Sequence, residues 1–383
     1  MDNELNQVIE KEGAIVWKSV FALLLLPVIA VIVVPWYAIT HGFTTFDYVS
    51  LLVFYVFTGI SITMGYHRLW SHRTYKANKF VSYFLMVFGT AALQNDIIQW
   101  SSDHRKHHKD VDDPIKDPYA ATRGFWYSHF GWLMVYNNAE VQELKGVNDL
   151  MKDKAVMFQH KHYTILAFSA CFGLPALYAL IFGTLSGGLA FGIAHIIPCI
   201  ILGGLVRVIL VHHATFCINS MAHILGSQPY STKNTARDSF LTAMVTGGEG
   251  YHNYHHAFAG DYRNGIRTFD FDPSKWLIAG CAKLGWCYDL KTVPEHLVEI
   301  AKAKIDLEHA LSTKSDSTHD TINERYTNLV SKIKNVSSAK KEYLKAKNDS
   351  TMSKDDIQVI KSKYKDYNVE FVDAKKSYKS SVA

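Results

Sequence analysis

The sequence predicts an all-α integral membrane protein, with four transmembrane helices and a cytoplasmic helical cap that carries a histidine-rich metal site. Three observations lead there. Four apolar stretches, about residues 16–39, 47–66, 163–182 and 190–211, are each long enough to cross a bilayer at about 1.5 Å of rise per residue. The tight linkers 40–46 and 183–188 contain no Lys or Arg, whereas the connections on the other side are rich in them. By the positive-inside rule both termini and the cap then face the cytoplasm. Three histidine clusters lie at the ends of apolar segments on that same side.

Taken in order, residues 1–15 form a polar, acidic cytoplasmic tail without the short apolar core of a signal peptide. The first span contains Pro27 and Pro35, which a membrane helix tolerates. The second runs straight into His67. Lys79–Gln94 is apolar but too short to cross, and reads as an interfacial or re-entrant helix that delivers the chain to His104. The aromatic-rich stretch Gly124–Val135 suits a membrane–water interface. Residues 16–295 thus form the membrane domain. From 296 to 383 the chain is lysine-rich, with Ile322, Tyr326, Leu329, Val330 and Ile333 recurring at helical spacing. This tail reads as an amphipathic helical hairpin or as a partly disordered solubilising segment.

The clusters read His67-Arg-Leu-Trp-Ser-His72, His104-Arg-Lys-His107-His108 and His252-Asn-Tyr-His255-His256. In the last two, i, i+3 and i+4 spacing puts three imidazoles on one helix face. The first is an i,i+5 pair that a straight α-helix would splay, so His72 is expected just past a helix end, turning back. Imidazole is the usual nitrogen ligand of zinc, copper, iron and nickel, and eight imidazoles exceed the needs of one ion. Two metals are implied. The five cysteines are scattered and include no Cys-x-x-Cys, which excludes a zinc ribbon and argues against a disulfide framework. The net charge of +5 resides in residues 301–383, with 17 Lys+Arg against 12 Asp+Glu. The membrane domain is balanced, and nothing in it points to nucleic acid.

GYHRLWSHRTYKA (65–77), QNDIIQWSSDHRKHHK (94–109), TRGFWYSHFGW (122–132), NSMAH (219–223) and GGEGYHNYHHAF (247–258) carry a resemblance. Over about residues 15–295 the chain resembles the membrane-bound fatty acyl desaturases, most nearly the stearoyl-CoA delta-9 branch. That resemblance implies an O2-dependent oxidoreductase placing a cis double bond, at delta-9, in a saturated acyl-CoA for unsaturated fatty acid biosynthesis. It implies a di-iron centre held by His67, His72, His104, His107, His108, His223, His252, His255 and His256, with Asn219 acting through a water. Asp103 beside His104 and Glu249 near His252 are candidates to back those ligands, the alternative being solvated surface acids, the commoner outcome for such residues.

The family's bent acyl tunnel maps onto Thr215 and Phe216 at the bend and Tyr55 and Gly59 at the closed end. Phe216 stands where the family usually has tryptophan. Of the headgroup contacts, Asn95 and Asp103 remain, but Ser19, Ser102, Tyr136 and Asn137 occupy positions that are otherwise asparagine or basic. Arg105, Lys106, Lys109 and Arg123 are the cations that could replace them, and the carrier stays open between coenzyme A, carrier protein and lipid. No haem or iron–sulfur motif is present, so electrons are expected from a separate cytochrome b5, ferredoxin or rubredoxin type of protein. The resemblance places the chain in the endoplasmic reticulum, or in a bacterial inner membrane. His195 reads as structural, His160, His162, His212 and His213 as interfacial, and His129 as a family landmark without a ligand assignment. A related membrane di-iron hydroxylase is the nearer alternative. A metal transporter or sensor is the remoter one, because its ligands would sit at the bilayer midplane.

Overall fold

A computed structural model describes residues 13–135 and 143–382 of the chain. It is mostly helical, and four of its helices are long and apolar enough to cross a membrane: Trp17–Thr40, Thr45–Ser71, Tyr163–Gly187 and Ile196–His223. The first span buries none of its residues and turns Phe21, Val31 and Ile32 outward, the pattern of a lipid-facing helix. The second is started by Thr44, whose backbone N–H and hydroxyl both donate to Asp47 Oδ2 at 2.8 Å.

The second and fourth helices outrun the apolar stretches that announce them. Apolarity marks where lipid ends, but helical hydrogen bonding continues into the polar region beyond. The second therefore extends to Ser71 and the fourth to His223. The fourth begins only at Ile196, because the chain breaks at His195 (φ −92°, ψ 1°), which stacks on Phe191 with ring centroids 3.9 Å apart. Three of the spans contain π-helical segments: Ser61–Ser71 in the second, Ser169–Gly173 and Ala179–Gly183 in the third, and Ile200–Val206 in the fourth.

Between the second and third spans, helix Lys79–Thr90 buries Val81, Leu85 and Met86 and exposes Phe80, Tyr83 and Val87. Helix Ile97–Asp110 follows, its first turn capped by Asp96, which accepts from Ile98 N and Gln99 N. The core beside these helices includes Ile62, Tyr66, Trp70, Leu85, Ile97, Ile98, Val211 and Ile278. A two-residue antiparallel pair, Lys76–Ala77 with Cys287–Tyr288, ties the end of this region back to the second span.

Residues 293–383 form a second compact unit together with 228–233. Three helices, Glu295–Thr313, His319–Asn348 and Lys354–Val382, pack around Ala303, Ala310, Ile322, Leu329, Ile333, Ala374 and Tyr378. Tyr378 donates from its hydroxyl to Ala303 O at 2.6 Å. Segment 228–233 joins them through Thr232, which donates to Glu308 at 3.0 Å, and Tyr230, which lies under Lys302.

Candidate metal centre

The first box depends on the π-helical turn. Bonding from i to i+5 stacks His72 over His67, with His72 N–H donating to His67 O at 3.0 Å and ring centroids 4.8 Å apart. The unusual spacing thus reflects an unusual helix, and His72 stands just past its end at Ser71 as the capping residue, its ring turned back to His67 as expected. The second box rides on helix Ile97–Asp110 and the third on the short helix His252–Ala257. That short helix is held by Asn253, which donates to Ala236 O at 2.9 Å, and by Tyr254 N, which donates to Asp238 Oδ1 at 3.0 Å. His223 comes from a separate 3₁₀ turn, Met221–His223, because the α-helix of the fourth span ends at Asn219. Asn219 and His223 thus stand on either side of a change from α-helix to 3₁₀ turn within the fourth span.

Nine histidines gather into two groups. One comprises His67, His72, His104, His108 and His255; the other comprises His107, His223, His252 and His256. Within each group one ring nitrogen per residue lies within 4.8 Å of all the others. Each three-histidine box divides the same way, its i,i+4 pair serving one group and its i+3 member the other.

The rings meet nitrogen to nitrogen. His72 and His104 approach at 2.7 Å through Nε2, His67 and His255 at 3.0 Å, and His108 and His255 at 2.9 Å. In the other group His107–His256 and His252–His256 stand at 3.2 and 3.1 Å. A neutral imidazole carries one N–H, and here several of those protons are engaged on the opposite edge. His107 Nδ1 lies 2.9 Å from Asp117, His104 Nδ1 3.3 Å from Tyr119 and His223 Nδ1 2.8 Å from Thr235, while His67 Nδ1 stands 3.0 Å from Glu249 as an ion-pair contact outside hydrogen-bond geometry. The Nε2 lone pairs therefore converge with little hydrogen between them, an arrangement that a cation relieves. His223 Nε2 is buried and meets no hydrogen-bond partner among the described residues. The donor set fits two metal ions with nitrogen ligands.

Electrostatics agree. Burial first, and neighbouring imidazoles second, hold His72, His104, His108, His252, His255 and His256 well below the usual histidine range, so these rings are neutral and ready to ligate. Burial alone would raise Glu249, but His67 and Arg68 hold it below its ordinary value.

The backing groups differ from expectation. Glu249 serves His67 rather than His252, and also accepts from Arg68 at 3.0 Å and Asn264 at 2.5 Å. Asp103 backs no histidine; it accepts from Gln99 at 3.0 Å, and burial pushes it up to about 6. Asp117, Tyr119 and Thr235 were not anticipated. Thr235 passes its own hydroxyl proton to Asp112 at 2.7 Å, and Asp112 N–H donates to Asp117 at 2.9 Å. One acidic turn thus supports two ligands of the second group, although in sequence it looks like a solvated loop.

An apolar cavity of about 600 Å³ opens from His67, His104, His107 and His252. It runs along Ala22, Leu23 and Leu26 of the first span, Ile62 and Thr63 of the second and Thr215, Phe216 and Asn219 of the fourth. Lys18, Ser19, Asn95 and Asp103 also line it. Tyr55 and Gly59 are not in its wall; Tyr55 packs against the core cluster instead. Ser102 is buried and accepts from Lys145 N at 2.9 Å, while Tyr136 and Asn137 lie outside the described residues. Arg105 is committed elsewhere, with a forked pair to Asp149 at 2.7 and 3.0 Å and bonds to the carbonyls of Trp70, Ser71 and Gly146. Arg123 stacks on Tyr127 at 3.7 Å, away from the cavity wall.

A model of the fatty acid desaturase family matches residues 47–268, a range that contains all nine histidines. The chain belongs to the fatty acid desaturase family. This desaturase-family chain is similar to a probable acyl-CoA desaturase of Schizosaccharomyces pombe, 42% identical over 284 residues that cover 74% of this chain and 56% of that protein. It is similar to acyl-CoA desaturase 1 of Saccharomyces cerevisiae, 41% identical over 65% of this chain and 46% of that one. A delta(9)-fatty-acid desaturase of Caenorhabditis elegans is 42% identical over 64% of this chain and 70% of its own length. The chain spans about half the length of the two yeast relatives.

Proposed function

We propose that this protein is an O2-dependent acyl-CoA desaturase that places a cis double bond at the delta-9 position of a saturated acyl chain for unsaturated fatty acid biosynthesis. The observation that carries the reading is the pair of nitrogen-only groups at the head of an apolar cavity. The names of the yeast and nematode relatives support the substrate and the position.

The reaction removes two hydrogens from adjacent methylenes and forms one C=C bond. O2 accepts them with two further electrons and two protons, leaving as two waters. The two histidine groups would each hold an iron ion, with Asn219 beside the site as a residue that would act through a water, and the metals would supply the reductive O2 activation that an unactivated C–H bond demands. The chain's own residues do the rest. Asp117, Tyr119 and Thr235 engage the Nδ1 edges of His107, His104 and His223, and Glu249 lies beside that of His67, which keeps the Nε2 atoms of these four rings directed inward. Leu23, Leu26, Ile62 and Phe216 give the acyl chain an apolar wall and exclude water beside the nitrogen groups. Lys18 and Ser19 are the first-span residues placed to meet an anionic headgroup, which Arg105 cannot do while bound to Asp149. Electrons come from a separate donor of cytochrome b5, ferredoxin or rubredoxin type. Residues 16–295 form the catalytic membrane domain, in the endoplasmic reticulum with both termini and the metal centre cytoplasmic, and 296–383 form an accessory tail.

Expression in cells unable to make unsaturated fatty acids, followed by mass-spectrometric location of the double bond, tests the reading. Purified protein should act on stearoyl-CoA in preference to stearoyl carrier protein or stearoyl phospholipid. A hydroxylated product would replace desaturase by hydroxylase, and activity on lipid alone would remove coenzyme A as carrier.

A further inference from the structure

We propose that Arg207 is a positioning residue that fixes where along the acyl chain the double bond is placed, an inference that rests on the desaturase reading above. Arg207 lies within the fourth span and is fully buried. No carboxylate among the described residues pairs with it. It donates from Nε to Gly203 O at 2.9 Å, from one terminal nitrogen to Ala91 O at 2.6 Å, and from the other to Cys171 O at 3.1 Å and Cys171 Sγ at 3.3 Å. A guanidinium inside a span is costly unless its donors are used, and an apolar side chain would pack there at less cost. All of its bonds go to backbone carbonyls and one thiol. Its evident task is to hold chain segments in place.

The segment it holds bonds to the preceding helix through the N–H groups of Ala91, Ala92 and Leu93, but its carbonyls at Ala91 and Ala92 are met from the fourth span. Residues 91–95 link helix Lys79–Thr90 to the helix of the second histidine box, and Leu93 (φ 55°) and Asn95 (φ 70°) adopt left-handed backbone. For leucine that conformation is strained and persists only where the surroundings impose it. The fourth span imposes it at three points. Arg207 takes Ala91 O, His212 Nε2 donates to Ala92 O at 2.8 Å, and Thr215 Oγ1 accepts from Gln94 at 3.0 Å. At Gly204, next to the third span, a Cβ would meet Phe172 at 2.9 Å, so its absence lets Cys171 come within reach.

Leu93, Gln94 and Asn95 line the cavity, and Asp96 after them caps the helix that carries His104, His107 and His108. The clamp therefore sets one cavity wall against the histidine groups. An acyl chain threaded past that wall presents one particular pair of methylenes, and loosening the wall lets it slide.

The test compares wild type, Arg207→Met and Arg207→Lys on stearoyl-CoA, reading double-bond position, iron per chain and hydrogen exchange of residues 91–96. The expected result is iron retained, exchange of that segment accelerated at least tenfold, and products at neighbouring positions rising severalfold, with Lys intermediate. A merely stabilising Arg207 would lower the melting temperature and leave a single product position; that outcome overturns the proposal. Should Arg207→Met fail to fold, His212→Phe breaks the adjacent tie, and an unchanged product position in that variant overturns it equally. If wild type forms no double bond at all, the desaturase reading fails, whereas unchanged exchange of residues 91–96 defeats the clamp independently of it.

Discussion

Adjacent histidines in these boxes have different destinations. His107 and His108 are neighbours in sequence yet belong to separate groups, and the same holds for His255 and His256. Spacing shows that the rings share a helix face, but not which ring goes to which ion, because that depends on how three elements meet. Alanine at His67, His108, His223 or His256 should abolish turnover, beyond the roughly 10–100-fold loss typical of residues that only orient a ligand. A variant keeping wild-type rate and iron content would remove that residue from the ligand set. Asp117→Asn, which alters only the backing of His107, should fall in that 10–100-fold range, read as iron affinity. The depressed histidines also set a pH dependence. The folded state holds these rings neutral, so its stability is complete above the ordinary value of 6.5 and declines as pH falls below it, because the unfolded chain then binds protons that the folded chain refuses. Each such ring steepens the decline by up to about 1.4 kcal/mol per pH unit. Melting of the metal-free protein between pH 7.5 and 5 checks this, and a flat profile would contradict it.

At the scale of elements, the sequence shows the four apolar stretches and the three boxes plainly, because bilayer length and helical spacing are local signals. What it hides is helical irregularity. The π-helical segment Ser61–Ser71 is what makes His67 and His72 neighbours, and its trace in the sequence, the i,i+5 histidine pair, reads equally as a pair that spans a helix end. Partners remote in sequence are hidden for a related reason: Thr235 lies beside Asp112 and Glu249 beside His67 only after folding. Arg105 illustrates the cost of reading charge alone, since its position among basic residues suggests a phosphate contact while its fork closes on Asp149. Arg105→Ala should therefore destabilise the protein by about 1–3 kcal/mol through the lost bonds to Asp149 and three carbonyls, leaving KM for acyl-CoA unchanged. Lys18→Ala should do the reverse, raising KM severalfold with little change in melting temperature; equal KM values would remove Lys18 from the headgroup site.

For the whole molecule, the division falls between a membrane unit that holds every histidine of the two groups and a helical unit of 228–233 and 293–383 that holds none of them. Ending the chain after Thr292 should leave turnover within a few-fold when the electron donor is saturating, and loss of activity from a truncated protein that keeps its iron would show the tail to be catalytic. The proposed desaturase requires two iron ions on nitrogen ligands in the membrane unit. X-ray absorption and elemental analysis of the purified protein measure this together. The prediction is two iron ions per chain with a nitrogen-dominated shell lacking sulfur, and one ion per chain, or zinc alone, in a protein that still desaturates would contradict it.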